Sequence, residues 1–152
     1  MQTRRETLQR SAVVAGLLAS TGLFPLMAQA AFNKAAFDAK TLPDVLKALG
    51  AGAPVESKDV SVTGPDIAEN GAVVPIGAAT TLSGVKQLLI LVEKNPSALV
   101  AVFSPTDAIE ANISTRTKMG QSSDVYAVAV MSDGKVLFAK KEIKVTLGGC
   151  GG

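Results

Sequence analysis

Histidine and tryptophan are absent from this 152-residue chain, and cysteine occurs once. Without histidine there is no Ser-His-Asp triad, no imidazole base and none of the usual zinc or copper sites. A lone cysteine excludes an intrachain disulfide, a Cys-x-x-Cys redox pair and a cysteine-only metal cluster. Aromatic residues make up 4% and charged residues 18%, against 47% hydrophobic. That balance, at this length, supports one domain with a real core. Whatever chemistry this chain takes part in is expected to be shared with another protein. No resident metal or cofactor is expected.

The N-terminus reads as an export signal. Arg4-Arg5 forms a twin-arginine pair in Thr3-Arg4-Arg5-Glu6-Thr7-Leu8-Gln9, ahead of the apolar run Ala12–Ala19. A second apolar stretch, Leu23–Met27, leads into the A-x-A sequence Ala28-Gln29-Ala30, which suits cleavage after Ala30. Ser20, Thr21, Gly22 and Pro25 interrupt the segment, which is too short and polar to span a bilayer. The alternatives are an ordinary Sec signal, since Thr7 replaces the usual large apolar residue, and an amphipathic helix belonging to the fold. Twin-arginine export delivers folded proteins, so the expected location is the periplasm. Loss of Arg4, Arg5, Arg10 and Glu6 from 15 basic and 13 acidic residues leaves 12 of each. The mature chain is thus formally neutral and has no basic stripe with interleaved aromatics, which excludes nucleic acid.

The mature sequence predicts one short helix and then strands. In 41–50, Thr41 suits an N-cap, Pro43 and Asp44 the first turn, and Gly50 the left-handed stop. Leu42, Val45, Leu46 and Leu49 form its apolar face, and Asn33–Phe37 adds a preceding turn. After Gly52 come seven candidate strands: Asp59–Thr63, Ala72–Gly77, Lys86–Glu93, Ala98–Phe103, Asn112–Met119, Val125–Met131 and Lys135–Leu147. Gly64-Pro65, Asn70-Gly71, Asn95-Pro96 and Asp133-Gly134 supply turns between them. Asp133-Gly134 is the strongest hairpin signal. About seven short strands in under 100 residues predict a mainly β fold, an immunoglobulin-like antiparallel sandwich. The expected organisation is a signal over 1–30, the sandwich with its helix over 31–147, and an arm over 148–152.

Two strands depart from simple alternation. Asp124–Met131 is apolar on both faces, and Leu88–Val92 is similar, so the sheet needs a cover on its outer side. Either the N-terminal helix or a partner subunit could supply it. In the last strand Val136 and Phe138 share one parity, whereas Ile143, Val145 and Leu147 share the other. A bulge near Lys140-Lys141 would reconcile them.

The chain closes on Gly148-Gly149-Cys150-Gly151-Gly152, a segment that packing does not explain. Four glycines around one cysteine make a thin arm, entropically costly to order, that extends roughly 15 Å beyond the last strand. An exposed thiol in an oxidising compartment is a hazard unless the thiol is the point. A thiolate forms disulfide, persulfide and related sulfur adducts. Lys144 is the nearest cation in sequence, so activation of Cys150 must come from another protein's active site. Gly148, Gly149, Gly151 and Gly152 let a narrow arm enter a deep pocket. The alternatives are a frayed end, an intermolecular disulfide anchor and a ubiquitin-like carrier that uses Gly151-Gly152 as a thiocarboxylate. Activation of such a carrier requires ATP, and the sandwich pattern does not match a β-grasp fold.

The ending Val145-Thr146-Leu147-Gly148-Gly149-Cys150-Gly151-Gly152 resembles that of SoxY, the sulfur-carrier family of the thiosulfate-oxidising Sox system. Asp66-Ile67-Ala68-Glu69-Asn70-Gly71-Ala72-Val73-Val74-Pro75 resembles a second stretch of that family, and the twin-arginine signal is a third point of similarity. The resemblance implies an immunoglobulin-like sandwich in complex with SoxZ, and a carrier role for Cys150 without catalysis. It further implies oxidative conjugation of thiosulfate by the haem enzyme SoxAX and hydrolysis of the terminal sulfonate by SoxB. In some pathways a molybdenum–haem dehydrogenase then oxidises the remaining sulfane sulfur. Glu69 and Asn70 are read as a solvated side chain and a turn, in preference to a pair that orients the arm or a partner.

Overall fold

The computed structural model describes residues 33–106 and 108–146, together with Arg10 and Val13 as helical positions. Arg4, Arg5, the segment Ala28-Gln29-Ala30 and the arm 148–152 lie outside the described residues. The chain divides into units Met1–Phe32 and Asn33–Gly152, and every element below belongs to the second.

Two helices open this unit. In α1 (Lys34–Asp38) Asn33 is the N-cap, its side-chain oxygen accepting from the Ala36 amide at 3.1 Å. In α2 (Leu42–Ala48) the Thr41 hydroxyl accepts from the Asp44 amide at 3.3 Å, Pro43 lies in the first turn, and Gly50 follows at φ +67°. These are the start and stop devices expected from the sequence. Asn33 Nδ2 also donates to the Ala48 carbonyl at 2.9 Å, tying the start of α1 to the end of α2.

Nine strands follow among the described residues: β1 (Pro54–Glu56), β2 (Val60–Thr63), β3 (Ile67–Ala68), β4 (Val74–Thr80), β5 (Val85–Val92), β6 (Leu99–Phe103), β7 (Asn112–Thr117), β8 (Ser123–Met131) and β9 (Val136–Val145). One sheet runs β1-β9-β8-β5-β6, with β3 also on β9; the other runs β2-β4-β7. All seven expected strands are present. The two additional ones, β1 and β3, are very short and pair in parallel with the outer edge of β9. The main ladders are antiparallel, so the expected sandwich is observed. The β8–β9 hairpin turns at Gly134, whose φ of +88° favours the residue without a Cβ.

Two cores explain the doubly apolar strands. Leu88, Ile90 and Val92 of β5 and Val125, Ala127 and Ala129 of β8 face Ile76 and Ala78 of the second sheet. Leu89, Leu91, Val128 and Val130 point the other way, where Ala36, Val45 and Leu46 of the helices cover them. The chain's own helices therefore provide the cover for which the sequence had left a partner subunit as an option. Hydrogen bonds from the Ala98 amide to Ala39 and from the Ser97 hydroxyl to Phe37 hold the helical segment to the sheet.

The expected bulge at Lys140-Lys141 is not there. The β8–β9 ladder runs unbroken from Ser123↔Ile143 to Val130↔Val136. The parity change comes from what covers each face. Val136 and Phe138 pack beneath the helices, whereas Leu137, Ala139, Ile143 and Val145 line the inter-sheet core. Beyond the helices the outer face meets water, and Lys140, Glu142 and Lys144 occupy it as exposed residues. Register breaks occur on β5 instead, between Val85 and Gln87 toward β8 and between Ile90 and Leu91 toward β6.

Candidate functional site

Cys150 and the glycines Gly148, Gly149, Gly151 and Gly152 lie outside the described residues; what the structure defines is the root from which they emerge. The end of β9 is held from two sides. On one, β3 pairs in parallel, Ile67 beside Lys144 and Ala68 beside Val145. The Lys144 amide donates to the Asp66 carbonyl at 3.0 Å, and the Thr146 amide to the Ala68 carbonyl at 3.1 Å. On the other, the Val145 amide donates to the Ser122 hydroxyl at 2.9 Å. The Thr146 hydroxyl contacts the Ala68 and Glu69 carbonyls at 3.4 Å each. The consecutive backbone amides of Lys144, Val145 and Thr146 thus all have partners, which holds the described end of the chain against the sandwich.

The loop after β3 completes the cradle. Asn70 accepts from the Ala72 amide through its side-chain oxygen at 2.9 Å, forming the expected turn. The Gly71 carbonyl accepts from the Met119 amide at 2.7 Å. A Cβ on Gly71 would stand 2.5 Å from the Met119 oxygen and 2.8 Å from Val145 Cγ1, so only glycine fits. The Glu69 side chain is exposed, and its residue serves the arm root through its carbonyl. Asn70 therefore forms the expected turn and Glu69 the expected solvated side chain, while the Glu69 carbonyl also meets the Thr146 hydroxyl at the end of β9. Of the two stretches that carried the resemblance, 66–75 meets the described start of the other, Val145 and Thr146, a contact that no motif in the sequence signals.

Charge at the root is balanced locally. Lys141 Nζ lies 2.9 Å from Asp66 Oδ1 and donates to the Gly64 carbonyl at 2.6 Å. The hydrogen bond from Lys141, then its charge, hold the Asp66 carboxyl below its ordinary range, against a smaller opposing effect of desolvation. Gly64 is itself tight, since a Cβ there would approach Ile143 Cδ1 to 2.8 Å.

A cleft of about 740 Å³ lies at the other pole, where Thr80 ends β4 and Val85 starts β5; Asp59, Leu82, Ile109 and Glu110 help line it. Val85 pairs with Met131, which places the cleft at the Val136 end of β9. Nine residue steps of β9 separate that end from Val145, about 30 Å. Cys150 is four residues from Thr146 and reaches about 14 Å. The cleft is therefore out of range of its own chain's thiol. Among the described residues, no group of three His, Cys, Asp or Glu could hold a metal ion, and no helix is long and apolar enough to cross a membrane.

The family model described as "Sulfur oxidation protein SoxY" matches residues 45–150 and so runs from α2 to the cysteine. Among solved structures, the sulfur carrier protein SoxY from Chlorobium limicola f thiosulfatophilum is 30% identical, with a TM-score of 0.62, and the match covers 69% of this chain and 94% of that one. A superoxide reductase (neelaredoxin) variant from Ignicoccus hospitalis shares the fold alone, at 14% identity and a TM-score of 0.51 over 57% of this chain and 79% of that one. No curated protein sequence matches the chain. With the matched region running from within the second helix through both sheets to Cys150, the chain belongs to the SoxY family of sulfur oxidation proteins.

Proposed function

We propose that this chain is a periplasmic sulfur carrier, exported on a twin-arginine signal cleaved after Ala30, which holds thiosulfate-derived intermediates on Cys150 without catalysing their conversion. The observation that carries the reading is the root geometry: a strand end pinned on both sides, five residues before the sole cysteine. A fixed root and a glycine-flanked thiol suit a group handed from one active site to the next. The Chlorobium relative, a sulfur carrier by description, supports the same role.

Loading forms one S–S bond between the Cys150 sulfur and the sulfane sulfur of thiosulfate. The thiol loses a proton, and two electrons pass to an external acceptor, for which the haem enzyme SoxAX is proposed. Hydrolysis by SoxB then adds water across the bond between sulfane sulfur and sulfonate, releasing sulfate and leaving a persulfide on Cys150. A sulfane dehydrogenase is the proposed oxidant of that persulfide, and SoxZ the standing partner. The chain contributes the nucleophilic sulfur, a narrow approach through Gly148, Gly149, Gly151 and Gly152, and a fixed origin for the arm. Deprotonation of the thiol falls to the receiving enzyme.

Cys150→Ser tests this reading. It is expected to abolish thiosulfate-dependent electron transfer and sulfate release, while deletion of Gly152 leaves substantial activity. Loss of activity on Gly152 deletion with Cys150→Ser still active would instead indicate a thiocarboxylate carrier. Retained activity when another crosslink replaces Cys150 would indicate a structural staple.

A further inference from the structure

We infer that Asn70 is a site of spontaneous covalent modification, where the Gly71 nitrogen displaces the side-chain amide and leaves aspartate or isoaspartate, a chemistry independent of the carrier role proposed above. The Asn70 side chain is exposed to water. Its Oδ1 accepts from the Ala72 amide at 2.9 Å, and the ring closed by that hydrogen bond contains both Asn70 Cγ and the Gly71 nitrogen. The Gly71 carbonyl accepts from Met119, but the Gly71 N–H donates to no acceptor among the described residues. With no Cβ on Gly71, that nitrogen is also unshielded. Electrophile and nucleophile are thus neighbours, one polarised and the other unoccupied.

The chemistry needs only water. The Gly71 nitrogen loses its proton to solvent and bonds to Asn70 Cγ; the bond from Cγ to Nδ2 breaks, and the amide leaves as ammonia. Negative charge builds on Oδ1 in the intermediate, where the Ala72 N–H already donates. Water then opens the five-membered imide. Cleavage at Cγ gives aspartate, and cleavage at the backbone carbonyl gives isoaspartate, with one more carbon in the main chain. That carbon enters beside Gly71, where even a Cβ would stand 2.5 Å from the Met119 oxygen and 2.8 Å from Val145 Cγ1. The isoaspartyl loop therefore cannot keep both its bond to Met119 and its fit against the end of β9.

Comparable residues lack one part or another. Asn95 precedes Pro96, which has no N–H to give up. Asn112 precedes branched Ile113, which is held in the β4–β7 ladder opposite Ala78. The Asn33 side chain is engaged at both ends, with the Ala36 amide and the Ala48 carbonyl. In Asp133-Gly134 the Gly134 amide already donates to the Met131 carbonyl at 3.1 Å.

The test incubates the full mature chain in mildly alkaline buffer, folded or unfolded in guanidinium chloride. Proteolytic peptides are then weighed, and isoaspartate is counted by enzymatic methylation. The folded chain is expected to gain one mass unit at Asn70, at a rate no lower than in the unfolded chain, with Asn33, Asn95 and Asn112 intact. Asn70→Ser, which retains a turn-forming hydroxyl, abolishes the signal. The isoaspartyl fraction, separated by ion exchange, should show a urea midpoint lowered by roughly 1 M or more. Asn70→Asp carries the same charge without the extra carbon and should keep the parent's midpoint. Asn70 intact in the folded chain after most of the unfolded chain has converted would overturn the inference, as would an isoaspartyl fraction with the parent's midpoint.

Discussion

Gly71→Ala is the sharpest perturbation of the arm root. The added methyl would be placed 2.5 Å from the Met119 carbonyl oxygen and 2.8 Å from Val145 Cγ1. The first obstacle is backbone, so relief requires the 71–119 contact to open. Overpacking of this kind costs about 1–3 kcal/mol, and weakening the 2.7 Å Met119–Gly71 hydrogen bond adds about 1 kcal/mol. With an m-value of about 1.5 kcal/mol/M, a total of about 2–4 kcal/mol lowers the urea midpoint by roughly 1–3 M. Gly120→Ala is the paired control, because no atom lies within 4 Å of its Cβ and its φ is not positive. It should be neutral or slightly stabilising, by up to about 1 kcal/mol, through restriction of the unfolded chain. Equilibrium urea unfolding followed by far-UV circular dichroism measures both. A Gly71→Ala midpoint equal to the parent, or the same loss in both variants, would refute the close approach of loop 69–73 to the end of β9.

Further expectations follow from other parts of the fold. Leu46→Ala removes a 2%-exposed side chain from the helix–sheet core; it should cost about 2–5 kcal/mol in urea unfolding, and an unchanged midpoint would mean that α2 does not cover β5 and β8. Asp66 titrates below its ordinary value of 3.8 because of Lys141. Its stabilising effect is thus full above that value and lost as pH falls through the lowered one, so Asp66→Asn should lessen the fall in stability on acidification. In an NMR titration, Lys141→Met should move the Asp66 inflection upward; no movement would contradict the ion pair. Gly134→Ala imposes φ near +88° on a residue with a Cβ, and a loss of about 1–2 kcal/mol is expected, with no loss arguing against the tight β8–β9 turn.

What the sequence disclosed depended on whether the cause was local. The Thr41 cap, the Gly50 stop and the Asp133-Gly134 turn are short-range devices, and all three appear where their residues required. β1 and β3 were invisible because three-residue and two-residue strands carry no periodicity; they exist only as partners of β9, more than 70 residues away. Parity in β9 misled for a related reason. A switch of apolar side chains from even to odd positions indicates a bulge only if the same face stays buried, and here the helices end partway along it. The doubly apolar β5 and β8 correctly signalled a covered sheet, but the sequence could not choose between Leu46 of the same chain and a partner. Cys150 and its glycines stand out in the sequence because no core use explains them, but they lie outside the described residues. The cradle was not legible, because it is built from the carbonyls of Asp66, Ala68 and Glu69, and every residue type carries a carbonyl.

Intact mass spectrometry, without reductant, of the mature protein from cells supplied with thiosulfate tests the central claim most directly. The account predicts a chain beginning at Ala31 that carries reducible thiosulfonate or sulfane adducts, all mapping to Cys150. An unmodified thiol, or only disulfide-linked dimers, would contradict it.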